Sequence, residues 1–284
     1  MPYVSKTSAN DKFRLLISGF PNTGKTTSLA TFCSGLYSDK TMVILSCPGE
    51  FGIRSLPVDI PNLTAVYYEP TEGEDINSAE WSRHALNSFD EVTSDVIKSK
   101  PDVLAIDGIH SLWSHLMNRA TDGEYLKGVD LNINPKTGRA VQYRAARYYS
   151  LAHASFGQYI AGLYSQAIPL VIATTWEEWE AGTTESQKPG DIEATRYLWP
   201  AVPGSMAKAI VGKFDARVSA RIERRCLHTD CEDAGSDHFV WQFLPRGDVQ
   251  GVGVKGLKIN RVMKEKPWIH QNWGDLRELM EIFS

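Results

Sequence analysis

Apolar residues recur along this chain with two different periods. Short unbroken runs have the length of buried strands, and between them apolar positions return every three or four residues, as on one face of a helix. Phe13-Arg14-Leu15-Leu16-Ile17-Ser18 is the first run, and residues 41–47 are the second. They predict strands at 13–19 and 41–47, with a helix opening at Thr26 and reaching Cys33 between them. Leu63 to Tyr68 predicts a third strand. Trp81, Ala85, Phe89, Val92 and Val96 keep helical spacing and predict a helix from about Ser78 to Lys98, ended by Pro101. Val103-Leu104-Ala105-Ile106-Asp107 predicts a buried strand that ends in a carboxylate, followed by a helix near 109–119. A helix from about Ala140 to Ser165 leads into another buried strand, Ile168 to Thr174. The tail predicts antiparallel strands at Asp215–Arg225, His238–Leu244 and Gly253–Asn260, then a short helix, Asp275–Phe283. Residues 121–139 and 176–204 fit neither period and read as long loops, a length that compact domains usually reserve for function.

Strands alternating with helices imply an α/β fold: a mostly parallel twisted sheet with helices on both faces. The late strands imply a C-terminal antiparallel hairpin extension. The expected organisation is an arm at 1–12, a core at 13–214, and a C-terminal segment at 215–284 packed on that core as one domain.

Chemistry enters at the end of the first strand. Gly19-Phe20-Pro21-Asn22-Thr23-Gly24-Lys25-Thr26-Thr27 fits the phosphate-loop pattern G-x-x-x-x-G-K-[ST] between a strand and a helix. Glycines let backbone N–H groups curl around an anion, and the helix N-terminus adds partial positive charge. Gly19, Pro21, Asn22, Thr23, Gly24, Lys25, Thr26 and Thr27 are therefore expected to hold ATP. Lys25 would reach its outer phosphates, and the Thr26 hydroxyl would ligate Mg²⁺. Asp107, at the end of its strand, is the second expected Mg²⁺ contact; its other reading is a cap for the next helix. Position 108 is glycine, so a water-activating glutamate has to come from elsewhere. Glu50, after the second strand, is the candidate, and Glu69, after the third, is its competitor.

Composition narrows the rest. The chain has 284 residues, 42% hydrophobic and 23% charged, with a formal net charge of −4. That balance does not coat duplex DNA by charge alone, so nucleic-acid contact would need local patches. The longest apolar run, Ala167 to Ala173, is too short to span a bilayer, and no membrane association is expected. Four scattered cysteines form no disulfide framework, and the N-terminus has no apolar signal core, so a cytoplasmic protein is expected.

Several features in order carry a resemblance. They are the phosphate loop, Glu50 with Gly52, Ile106-Asp107-Gly108-Ile109, Pro169–Thr175 with Trp176-Glu177, and Lys213-Phe214-Asp215 opening a hairpin. The chain resembles the RecA-like core ATPases. Within them it is most similar to short phage-encoded forms of the Sak-type single-strand annealing and UvsX-like recombinase kind, over roughly residues 12–262. The resemblance implies ATP, Mg²⁺, a homo-oligomeric ring or filament, and single-stranded DNA at two loops. It also implies phage company, such as a single-strand binding protein, in a host cytoplasm. It makes Glu50 the catalytic glutamate and Thr174 and Thr175 the γ-phosphate sensor. Lys255 and Lys258 become cations offered to a neighbour's nucleotide; their other reading is surface lysines on an edge strand. The acidic stretch Trp176-Glu177-Glu178-Trp179-Glu180 departs from the family's second DNA loop.

Basic and aromatic residues together suit a single strand, charge following phosphates and rings stacking on bases. Lys127, Lys136, Arg139, Tyr143, Arg144 and Arg147 offer that mixture in and after the first loop, and Trp176 and Arg196 in the second. The same residues also fit a solvated helix face with buried tyrosines. Cys226, His228, Cys231 and His238 do not have the spacing of a standard zinc finger. Other P-loop classes remain open: a packaging or helicase-type motor, a nucleotide-gated scaffold with weak hydrolysis, and a small-molecule or nucleotide kinase.

Overall fold

The computed structural model describes residues 12–34, 37–56, 59–121, 144–165, 167–179, 198–202, 205–223, 238–242, 253–254, 268–273 and 276. Outside them lie Lys127, Lys136, Arg139, Tyr143, Arg196, Lys255, Lys258, Cys226, His228, Cys231, residues 1–11 and all of the closing helix but Leu276, together with the side chains of Arg144 and Arg147.

Strands β1 (Phe13–Gly19), β2 (Met42–Ser46), β3 (Leu63–Val66), β4 (Val103–Asp107), β5 (Leu170–Trp179) and β7 (Ala216–Glu223) build the parallel part of one sheet. With β8 (His238–Gln242) and β10 (Trp268–His270), the described strands run in the order β10-β8-β7-β1-β5-β4-β2-β3. β8 turns back antiparallel on β7, and β10 on β8. β9 (Gly253–Val254) pairs antiparallel with β7, and β6 (Leu198–Pro200) pairs antiparallel with the end of β5. The fold is thus the expected mixed α/β sheet, mostly parallel, with an antiparallel C-terminal hairpin. Strands from both the 13–214 and the 215–284 segments belong to this sheet.

Both sheet faces are covered, which is why the inner strands read as unbroken apolar runs. One face packs Leu15, Ile17, Ile44, Ala105 and Ile172 against helix α1 (Lys25–Thr31) and against Trp273 and Leu276 from the C-terminal segment. The other packs Leu16, Leu45, Leu104, Ile106 and Val171 against α2 (Ala79–Ser99), α3 (Ile109–Ala120), α4 (Arg144–Ser165) and α5 (Ser205–Val211). α2 follows its predicted period: Trp81, Ala85 and Phe89 are buried. Ser78 caps it by accepting from Trp81 N–H at 3.0 Å, and it ends at Lys100 in the left-handed region before Pro101.

One expectation needs correction. Residues 176–179 are not loop: β5 continues through Trp179, and Glu177, Glu178 and Trp179 pair with Pro200, Trp199 and Leu198. The acidic residues misled because Glu177 is buried. It accepts from Ser18 Oγ at 2.7 Å, Arg217 Nη2 at 2.8 Å and Ser219 Oγ at 2.9 Å. A buried carboxylate with three donors, one of them a guanidinium, sits in a sheet without leaving an unpaired charge.

Candidate nucleotide site

The parallel strands end at one edge of the sheet, where open α/β sheets bind ligands. Gly19 closes β1 and leads into the phosphate loop. Asn22 at φ 64° and Gly24 at φ 79° take left-handed backbone, which bends the chain into a cradle. Gly24 is also required by space. A Cβ there would lie 2.9 Å from Gln271 Oε1 and 3.1 Å from Phe239. The C-terminal hairpin therefore backs the loop. Gln271 Nε2 donates to Thr23 O at 2.9 Å, and Trp273 Nε1 donates to Ser28 O at 2.7 Å.

Lys25 opens α1 with its ammonium folded into the loop, donating to Gly19 O at 2.9 Å and Phe20 O at 2.7 Å. Burial lowers its pKa to about 8, against the opposing pull of Asp107, Glu177 and Glu50. Thr26 Oγ1 donates to Asp107 Oδ2 at 2.9 Å, and Thr174 Oγ1 donates to Asp107 Oδ1. The strand register explains the convergence. Ser46 of β2 is paired with Asp107 of β4, and alternation puts Ser46, Asp107 and Thr174 on the α1 face of the sheet. Thr175 faces the other way, with Oγ1 bonded to Trp176 O at 3.2 Å. Of the two threonines, only Thr174 touches Asp107. Burial raises the Asp107 pKa, while the two hydroxyls and Lys25 oppose that rise. Ser46 Oγ is buried with no hydrogen-bond partner among the described residues.

Those groups fit a hydrated Mg²⁺. Asp107 and Thr26 are hard oxygen donors, Asp107 is a buried carboxylate short of positive charge, and the Ser46 hydroxyl stands beside them unpaired. When bound, Mg²⁺ would neutralise phosphate charge as it develops.

Glu50 sits on the turn after β2, and helix α3 clamps that turn. Ser111 Oγ donates to Pro48 O, and the His115 ring packs against Gly49, where a Cβ would come within 2.6 Å of Nε2, while its Nδ1 meets Ser82 Oγ at 2.9 Å. His110 Nε2 lies 2.9 Å from Glu50 Oε1. Gly108, at φ 82°, leaves the space that Glu50 fills: a Cβ there would come within 2.2 Å of Glu50 Cγ. Glu69, by contrast, is exposed after the edge strand β3 and pairs with Arg54 at 2.9 Å. The geometry brings Lys25, Thr26, Asp107, Thr174 and Glu50 to one place, and leaves Glu69 out of it.

Sequence reading missed His110, Ser46, His115 and the backing by Gln271 and Phe239. Two histidines five apart, falling among the apolar buried positions Ile109, Leu112, Trp113 and Leu116, were the available signal for α3. Phe239 and Ile222, paired across β7 and β8, keep 44% and 39% of their surface exposed beside the loop. Trp176 is 42% exposed and lies stacked on His110, with ring centroids 4.2 Å apart. Among the described residues no cluster of three or more metal-ligating side chains of the zinc type occurs, and His238 lies on β8. Nor, among them, is any helix long and apolar enough to cross a membrane.

No family model and no curated protein matches the chain. Among solved structures, it is similar to the flagellar accessory protein FlaH from Methanocaldococcus jannaschii. That match has 12% identity and a TM-score of 0.39, and it covers 87% of this chain and 85% of that one.

Proposed function

We propose that this chain is a Mg²⁺-dependent ATPase of RecA-like type that works on single-stranded DNA as a homo-oligomer, in annealing or recombination of the phage kind. The observation that carries the ATPase reading is the convergence of Lys25, Thr26, Asp107, Thr174 and Glu50 at the carboxyl ends of β1, β2, β4 and β5. Lys25 holds the outer phosphates, Thr26 and Asp107 the cation, and Glu50 polarises the attacking water. Thr174 fixes Asp107 and, by accepting from Gly108 N–H at 2.8 Å, ties it to the start of α3. Phe239 and Ile222 offer an apolar face for the base beside the loop. A kinase is less well supported, because 176–179 form strand and the remaining lid-length segment carries a single arginine, Arg196.

Support for DNA is the exposed Trp176 indole beside the site, together with the basic and aromatic composition of 121–147 and 176–204. Those same segments, with Arg144, Arg147 and Arg196, are the proposed strand contacts, and Lys255 and Lys258 the proposed cations for a neighbouring subunit. The test is ATP hydrolysis with and without single-stranded DNA at low and moderate salt. Stimulation that fades as salt rises supports the reading, since phosphate contacts release counterions. Turnover that ignores single strands but responds to duplex points to a motor. Phosphate transfer to an added nucleoside monophosphate points to a kinase.

A further inference from the structure

His110 is a polar group of this site that has no part in the proposed nucleotide contacts, and its surroundings fix what it can do. β4 ends at Asp107, so beyond Ala173 the strand β5 has no β4 partner on that side. The first turn of α3 takes the vacated place. Trp176 N–H, the backbone donor that would have bonded a longer β4, points instead at His110 Nδ1, 3.4 Å away. A backbone N–H can only donate, so Nδ1 must accept, and in a neutral ring the proton then sits on Nε2. Nε2 lies 2.9 Å from Glu50 Oε1. The ring is held from above by the Trp176 indole at 4.2 Å and an interplanar angle of 27°. Backbone donor, imidazole and carboxylate thus form one line from the start of the β5–β6 hairpin to the glutamate.

We infer that His110 is a positioning residue for Glu50, and that its stack with Trp176 couples the ATPase centre to the β5–β6 hairpin. His110 has no proposed contact with nucleotide. It donates to one carboxylate oxygen, which leaves the other free to take a proton from water, and it restricts where the carboxylate can swing. Trp176 keeps an open face, so a base stacking there acts on the same imidazole that holds Glu50. This inference rests on the ATPase reading above and names how that activity is regulated.

The experiment compares His110→Ala, His110→Gln, Trp176→Ala and the double variant H110A/W176A in the full chain. For each, ATP affinity is read with a fluorescent ATP analogue and kcat and KM from phosphate release. A mispositioned catalytic group costs up to about 100-fold, so H110A should lower kcat by about 10- to 100-fold with nucleotide affinity unchanged. H110Q, whose amide can still donate, should recover part of that loss. W176A should lower kcat less, and the double variant should fall no further than H110A. Normal kcat in H110A overturns the inference. So do equal losses in H110A and H110Q with matching loss of ATP affinity, and so do effects of H110A and W176A that multiply. A second readout is independent of turnover. The nitrogen NMR spectrum of the imidazoles, with the His110 signal assigned among seven histidines by its absence in H110Q, should show the Nε2–H form. An Nδ1–H form overturns the inference even if hydrolysis proceeds. Wild-type protein that binds ATP without turning it over, with or without single strands, overturns the ATPase reading and, with it, the role given to His110.

Discussion

Gly108→Ala is the sharpest perturbation that the site offers, because a matched control exists in the same chain. Gly108 and Gly73 have nearly the same backbone, φ 82° and 86°. A Cβ at Gly73 meets nothing within 4 Å, whereas a Cβ at Gly108 meets Glu50 Cγ at 2.2 Å. Left-handed backbone costs an L-residue about 1–2 kcal/mol, partly offset by the lower entropy of the unfolded chain. Gly73→Ala should therefore lose about 1 kcal/mol. Gly108→Ala has that cost and must also push Glu50 aside, breaking its contact with His110. A hydrogen bond to a charged group contributes about 1.5–3 kcal/mol, so the total should be about 2.5–4 kcal/mol. Urea unfolding of both variants gives the difference directly. Hydrolysis gives a second readout: G73A should turn over ATP normally, and G108A should bind ATP while losing at least about 100-fold in rate, the scale of a lost general base. Equal stability losses in the two variants, or normal turnover in G108A, would refute the placement of Glu50 over Gly108 as the working arrangement.

Glu50→Gln should trap bound ATP, with kcat down by about 100-fold or more and affinity kept, whereas Lys25→Ala should lose nucleotide binding itself; a normal rate for E50Q in single-turnover assays removes Glu50 from the chemistry. Arg217→Met strands Glu177 as a buried unpaired charge, and breaking such a pair costs about 3–5 kcal/mol; a loss under about 1 kcal/mol in urea unfolding would contradict the pairing. His115 has a pKa below the ordinary 6.5, chiefly through burial. Between that lowered value and 6.5 the unfolded chain binds more protons than the folded one, so this contribution is intact above pH 6.5 and is lost on acidification. His115→Gln should flatten the fall in unfolding free energy between pH 7 and pH 5, and an unchanged slope would show that His115 does not titrate with folding.

What the sequence shows plainly is whatever has a period or a fixed spacing. Val103–Ile106 and Leu170–Ala173 are unbroken apolar because both faces of the sheet are covered, and the phosphate loop follows β1 with its glycines in place. What it hides is polarity that the fold neutralises. Arg14 is buried within β1 because its guanidinium finds the carbonyls of Phe13 and Ile168, at 3.0 and 3.1 Å. Glu177 lies buried in β5 because Ser18, Arg217 and Ser219 come from strands more than 35 positions away in sequence or on the other side of the loop. No local pattern reports a partner that distant, so a charged stretch reads as loop. His110 was hidden differently. Its residue type suggests chemistry, but its role follows from where β4 stops, which is a fact of pairing and not of composition.

Position 108 links these observations. A glutamate directly after Asp107 would need a side chain where Gly108 has none, on left-handed backbone, in the space that Glu50 occupies. The two placements of a glutamate exclude each other, and in this chain the space is taken by Glu50 from the turn after β2. That choice makes Glu50 depend on a different element. A glutamate at position 108 would be held directly by the end of the sheet, but the polar contacts that hold the Glu50 turn come mainly from α3: His110 to the carboxylate, and Ser111 to the Pro48 carbonyl. α3 begins two residues after Asp107, and Gly108 N–H is tied to Thr174 of β5. Asp107, Glu50 and the end of β5 thus meet at one helix N-terminus. A displacement of Trp176 has a short route to both carboxylates: through His110 to Glu50, and through Thr174 to Asp107. A site whose Glu50 is held by α3 is therefore predicted to respond more steeply to changes at the β5–β6 hairpin than to equal changes at β7, where Arg217 and Ser219 lock Glu177 on the opposite face of the sheet.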